Sequence, residues 1–156
     1  MVNEFTNHFR EFSMELNIVY KTKDDLPIPK VYKTNEEWKK ILNEDQFTVL
    51  RMEGTENAFD NCFYNQKKNG IYFCAGCDNK LFKSEKKYDS GTGWPSFSKD
   101  AYEGATIRIG TVESWKEIIC SQCHGHLGHL FNDGPEDTGE RYCINSLALK
   151  FVIDQN

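Results

Sequence analysis

At 156 residues, with 38% apolar and 13% aromatic side chains, the chain has material for one compact core and is too hydrophobic to be disordered. A net charge of −5 argues against a nucleic-acid partner, and Lys67-Lys68 and Lys86-Lys87 read as solvated loop charge. No apolar run approaches the roughly 20 residues that span a bilayer, so no membrane partner is expected.

The first 20 residues carry Glu4, Glu11 and Glu15 and no unbroken apolar stretch, which fits neither a secretory signal nor an acidic-poor transit peptide. A soluble, cytoplasmic protein is the expectation. Residues 1–32 read as an extension ending in Leu26-Pro27-Ile28-Pro29, whose prolines favour extended chain. A single domain over 33–156 follows. It begins with Thr34-x-x-Glu37, a capping box ahead of Trp38, Ile41 and Leu42, and predicts a helix over 35–43. A second short helix is expected over 44–50.

After Gly54 the texture changes. Short β-prone runs at 71–74, 80–82, 106–109, 117–120 and 142–153 alternate with clusters of Gly, Asn, Asp and Ser. In the last run Leu147, Leu149, Phe151 and Ile153 recur with a period of two, which predicts one strand with a buried face shared by Cys143 and Asn145. The fold class is therefore mainly β, with short N-terminal helices.

Six cysteines in a cytoplasmic chain need a reason other than a disulfide framework. Four form two CxxC pairs, Cys74/Cys77 and Cys120/Cys123, and two such turns supply the four thiolates of a tetrahedral zinc site. The 42 residues between the pairs exceed a finger insert, so one Zn²⁺ per chain would staple distant segments in a closed, structural site. The alternatives are a pair of redox CxxC motifs, which normally open a helix in a βαβ unit not seen here, or His124 replacing Cys123 as a ligand.

The other two cysteines are Cys62 and Cys143. A lone Cys is ordinarily a small buried hydrophobe. Arg141, two residues from Cys143 on the same strand face, would favour its thiolate. Gly91-Thr92-Gly93-Trp94-Pro95-Ser96-Phe97 is a rigid turn that can present an indole, and His124-Gly125-His126-Leu127-Gly128-His129, with Asn132-Asp133-Gly134 behind it, sets imidazoles directly after the second metal pair.

The run from Gly54-Thr55-Glu56, through the first CxxC, Lys87 to Phe97, the second CxxC and His126 to Gly134, to Arg141-Tyr142-Cys143-Ile144-Asn145-Ser146, resembles the B-type methionine sulfoxide reductases. The resemblance spans about residues 33–153 and implies that 33–156 is a catalytic domain of two antiparallel sheets flanked by small helices. It also implies selectivity for the R epimer at sulfur, action on free and protein-bound methionine sulfoxide, and thioredoxin as reductant.

With that substrate, Cys143 thiolate would attack the electrophilic sulfur while His129, or His126 beside it, protonates the departing oxygen. Asn145 and His126 would orient the oxygen, Asp133 and Arg141 would hold the histidine and the thiolate, and Trp94 would receive the methyl group. Methionine leaves and Cys143 becomes a sulfenic acid. Thr92 stands where many members of the family carry a second redox cysteine. The resemblance then points to Cys62 as the thiol that resolves the sulfenic acid into a disulfide, against direct reduction with Cys62 a bystander. Ala58 stands in place of the usual proline, and Trp115 where an arginine is common. The competing readings are a zinc-ribbon-like binding module without catalysis and an enzyme acting on another small sulfoxide.

Overall fold

The computed structural model describes residues 19–111 and 115–155. Most of the extension expected over 1–32 lies outside the described residues. Its described part begins with strand β1 (Val19–Tyr20), followed by a 3-10 turn at Lys23–Asp25.

Helix α1 (Asn35–Ile41) starts at the predicted capping box, with Glu37 N donating to Thr34 Oγ1 at 3.2 Å and Thr34 N donating back to the Glu37 carboxylate at 3.1 Å. Helix α2 (Glu44–Met52) has a second box made by Asn43 and Gln46, a signal that the sequence reading passed over. It stops where Glu53 turns left-handed at φ 57° and Gly54 N reaches back to Thr48 O.

Ten short strands follow the chain among the described residues: β1, β2 (Gly70–Cys74), β3 (Lys80–Lys83), β4 (Lys87–Tyr88), β5 (Ser96–Phe97), β6 (Thr106–Ile109), β7 (Lys116–Cys120), β8 (His126–Phe131), β9 (Arg141–Ile144) and β10 (Leu149–Ile153). They form a larger sheet in the order β1-β6-β7-β8-β9-β5-β4 and a smaller one in the order β10-β2-β3, antiparallel except for the parallel β1–β6 pair. Between them lies an aromatic core. Phe82 of the small sheet stacks on Phe97 of the large one at 4.4 Å, and Tyr72 meets Phe97 edge-on at 5.2 Å.

One expectation is corrected. The run 142–153 is not a single strand but two, β9 in the larger sheet and β10 in the smaller, separated by Asn145 and a 3-10 turn at Ser146–Ala148. Cys143 and Asn145 therefore do not share a buried face with Leu149, Phe151 and Ile153. Leu149 is buried, but Ile153 is 45% exposed. The break has a non-local cause. The Glu56 carboxylate accepts from Ser146 N at 2.6 Å and Leu147 N at 2.8 Å, capping the turn from 90 residues away.

Candidate active site and metal centre

Each CxxC pair closes a hairpin: Cys74 ends β2 and Cys77 lies in the turn to β3, while Cys120 ends β7 and Cys123 lies in the turn to β8. The two turns share one backbone pattern. Asp78 N donates to Cys74 O and Cys74 N to Asn79 O; His124 N donates to Cys120 O and Cys120 N to Gly125 O. Asp78 and His124 both turn left-handed, at φ 62° and 61°. The sequence repeat is thus a structural repeat, and it joins a tip of the small sheet to a tip of the large one.

The four sulfurs lie within 4.8 Å of one another, with Cys74 to Cys123 at 3.8 Å and Cys77 to Cys120 at 3.5 Å. That cluster can hold a metal ion, and among the described residues it contains four cysteines and no histidine. Helix α2 braces it: Arg51 Nη1 donates to Cys123 O at 2.9 Å and its guanidinium lies 4.9 Å from the Trp38 ring centre.

The second turn launches β8, which carries the histidines toward β9. His129 is the register partner of Cys143, and on the other side of Cys143 stands Ser96 of β5. The approach of β8 to β9 is close enough that a Cβ on Gly128 would lie 1.9 Å from Cys143 O. Only glycine fits there. Just before β5, Trp94 is fixed by its indole, Nε1 donating to Glu56 O at 3.0 Å. Asn145 ties the same segment to β8, accepting from Glu56 N at 3.0 Å and donating to Leu127 O at 3.0 Å.

These elements enclose an open cavity of about 120 Å³, lined by Cys143, His129, Asn145, Trp94, Thr55 and Phe131 among others. Its volume is that of roughly four waters. A larger cavity of about 350 Å³ around Asp100 and Arg108 contains neither cysteine nor histidine.

Burial raises the Cys143 thiol above its ordinary value, and the charge and hydrogen bond of Arg141 pull it part of the way back. Arg141 is gripped by Asp133, with Nε to Oδ1 at 2.9 Å and Nη2 to Oδ2 at 3.2 Å, and its guanidinium lies over Phe131 at 4.4 Å. The carboxylate of Asp133 thus meets the arginine rather than a histidine. Burial lowers the His129 imidazole, and the neighbouring His126 lowers it further.

His126 stands behind His129, the rings 5.5 Å apart and edge-to-face. At 3% exposure it does not line the cavity, and its Nδ1 lies 2.8 Å from Glu117 Oε2. Cys62 is exposed and opens onto a different cavity of about 620 Å³, bordered by Phe59, Asn61, Ser146 and Leu147. Glu56 and Ser146, tied to each other, line that second cavity, while their neighbours Thr55 and Asn145 line the first. The sequence reading gave Glu117 only as the start of a β-prone run, with no role in the site, and missed the anchoring role of Glu56. Glu56 works across 90 residues and Glu117 across the pairing of two strands, and no local spacing marks either role.

The SelR domain model matches residues 42–153. The chain belongs to the SelR family, the B-type methionine sulfoxide reductases. Among its relatives, "Peptide methionine sulfoxide reductase MsrB" of Methanosarcina mazei is 46% identical over 131 residues, 81% of this chain and 93% of that one. The Leptospira interrogans protein of the same name is 48% identical over 130 residues, 78% and 95% of the two chains. "Methionine-R-sulfoxide reductase B2, mitochondrial" of Homo sapiens is 46% identical, covering 81% of this chain and 72% of that one. A solved structure, the Mis18 "Yippee-like" domain, overlaps 57% of this chain and all of that one at TM-score 0.48 and 17% identity, too slight a likeness to bear on function. Among the described residues, no helix is long and apolar enough to cross a membrane.

Proposed function

We propose that this SelR-family enzyme reduces methionine-R-sulfoxide, free or within proteins, to methionine, with Cys143 as nucleophile and His129 as proton donor. The observation that carries the reading is that Cys143 and His129 are cross-strand partners in one small cavity walled by Trp94 and Phe131. A methylsulfinyl group suits that space: the methyl against the indole, the sulfur toward Cys143, the oxygen toward His129.

Cys143 thiolate forms a bond to the sulfoxide sulfur, and His129 delivers a proton to the oxygen. The substrate S–O bond and the new bond to Cys143 then both break as the protonated oxygen passes to the Cys143 sulfur. One electron pair forms the new O–S bond and the other stays on the departing thioether, which leaves methionine and a sulfenic acid. Asn145 holds the Thr55–Glu56 wall in position, Arg141 favours the thiolate and Asp133 holds Arg141. His126 backs His129. Cys62 then attacks the sulfenic sulfur and expels water, and thioredoxin dithiol reduces the disulfide. The exposure of Cys62 supports its access to a partner. Cys62 and Cys143 line different cavities, so the segment carrying Cys62 must move for the two sulfurs to meet.

Cys74, Cys77, Cys120 and Cys123 would hold Zn²⁺ in a structural role. Thiolates at ~2.3 Å around a tetrahedral ion lie roughly 3.8 Å apart, and the measured sulfur separations of 3.8 and 3.5 Å match. Four cysteine ligands would leave no open position, so the ion would supply cohesion and no chemistry. A cytoplasmic setting suits an enzyme whose nucleophile and ligands must stay reduced.

The deciding assay measures reduction of each epimer of methionine sulfoxide with dithiothreitol, for wild type and Cys143→Ser. Turnover of the R epimer that vanishes in the variant is expected; turnover that survives removes Cys143 from the reaction. A single turnover without reductant, followed by disulfide mapping, tests Cys62. A Cys62 left as free thiol ends its resolving role.

A further inference from the structure

We infer that Lys23 and Glu117 are positioning residues for the reaction, acting in series on His126 and through it on His129. The inference rests on the functional reading above. Lys23 lies outside the residues that the family model matches, 42–153, in a segment that the fold nevertheless clasps. Val19–Tyr20 pairs with β6, and Val31 N donates to Gln122 O at 2.9 Å.

Between those anchors Lys23 heads the 3-10 turn, and its ammonium bridges two carboxylates, Glu53 and Glu117. Glu117 is the register partner of His129 on β7, but its side chain reaches His126. One oxygen, Glu117 Oε2, takes both Lys23 Nζ at 3.0 Å and His126 Nδ1 at 2.8 Å. Burial alone would raise the Glu117 carboxyl, but its bonds to His126 and Lys23 outweigh that and keep it ionised. An ionised carboxylate only accepts, so His126 Nδ1 must carry a hydrogen. The partner of one imidazole nitrogen fixes the state of the other. His126 Nε2 is buried without a partner among the described residues, its ring packed edge-to-face on His129.

Without Lys23, Glu117 is free to turn toward solvent, and a 3%-exposed imidazole then has no bonded nitrogen to hold its plane. His129 would lose the surface that aims it at the cavity.

The experiment uses the metal-loaded full chain. Ring ¹⁵N NMR of wild type is expected to report a protonated Nδ1 on His126; a bare Nδ1 overturns the inference without any variant. Lys23→Met should lower kcat about tenfold with KM unchanged, a fraction of the roughly 10²–10⁴ that a positioned acid supplies. Lys23→Arg, which keeps the charge and both carboxylate contacts, should restore most of it. Glu117→Gln should lower kcat in the same way and serves if Lys23→Met does not fold. A purely structural clasp predicts a lower Tm with kcat and the His126 ring signals unchanged, and that result refutes the inference. Wild type inactive on the R epimer would instead sink the functional reading, while the NMR result would still decide the His126 state.

Discussion

The metal cluster and the thiol cavity both gather reactive side chains within a few ångströms, yet they are built over different reaches of chain. Each half of the cluster is a five-residue turn that closes on its own backbone, and the two halves differ mainly in which sheet they terminate. The cavity draws on β8, β9, Trp94 ahead of β5, and Thr55, and no two of its chemical residues are sequence neighbours except around Cys143. The first region stores cohesion; the second stores register. Breaking them should have separable consequences.

The largest effect is expected at the cluster. Cys120→Ser removes a sulfur from the four-cysteine cluster. With the zinc proposed there, structural sites of this kind supply roughly 10–16 kcal/mol of apparent binding energy, so the chain should lose both its metal and its fold. Circular dichroism and metal content by elemental analysis measure it. A folded, metal-free Cys120→Ser protein would mean that the aromatic core between the sheets suffices alone. His129→Gln should do the reverse: native circular dichroism and full metal, with kcat/KM lowered by about 10²–10⁴. Equal activity in that variant would shift the proton donor elsewhere, with His126 the nearest imidazole.

Gly128→Ala tests register itself. The added methyl would meet Cys143 O at 1.9 Å, and because the obstacle is backbone, β8 and β9 must part. Overpacking of this kind costs up to about 3 kcal/mol, which for a chain of this length lowers Tm by about 6–12 °C. Activity should fall as well, because the same displacement separates His129 from Cys143. Calorimetry and a steady-state assay read the two effects on one sample.

The contrast also explains what the sequence disclosed. Helix starts are short-range, so Thr34 and Glu37 announced α1, and the four-cysteine cluster was legible because CxxC is itself a turn. The 142–153 run misled because β-prone residues stand on both sides of Asn145 and both sides do form strands, while the break is imposed by Glu56 and Leu127, distant in sequence. Strand β8 escaped for the opposite reason: His-Leu-Gly-His carries no β-branched residue, and its extension is enforced by β7 and β9 pairing. Which histidine faces the cavity was left open by spacing. In the structure His129 lines the cavity with Cys143, and His126 lies behind it on Glu117.

The smallest change separates charge from shape within the cavity. The proposed reaction needs thiolate on Cys143 and imidazolium on His129, yet burial holds the thiol above its ordinary 9.0 and the imidazole below 6.5. Thiolate plus imidazolium carries the same proton count as thiol plus neutral imidazole. kcat/KM should therefore be flat between the two macroscopic values, falling below the lower as His129 protonates with Cys143 still thiol, and above the upper as both are deprotonated. Arg141→Met removes the charge that pulls the Cys143 thiol down, so the thiol rises further. The alkaline limb should move to higher pH and the plateau should drop with it, by about tenfold for each pH unit of movement, while the acid limb stays with His129. A plateau that drops with no movement of the limb would assign Arg141 to shaping the wall at Phe131, over which it lies, rather than to charging the thiol.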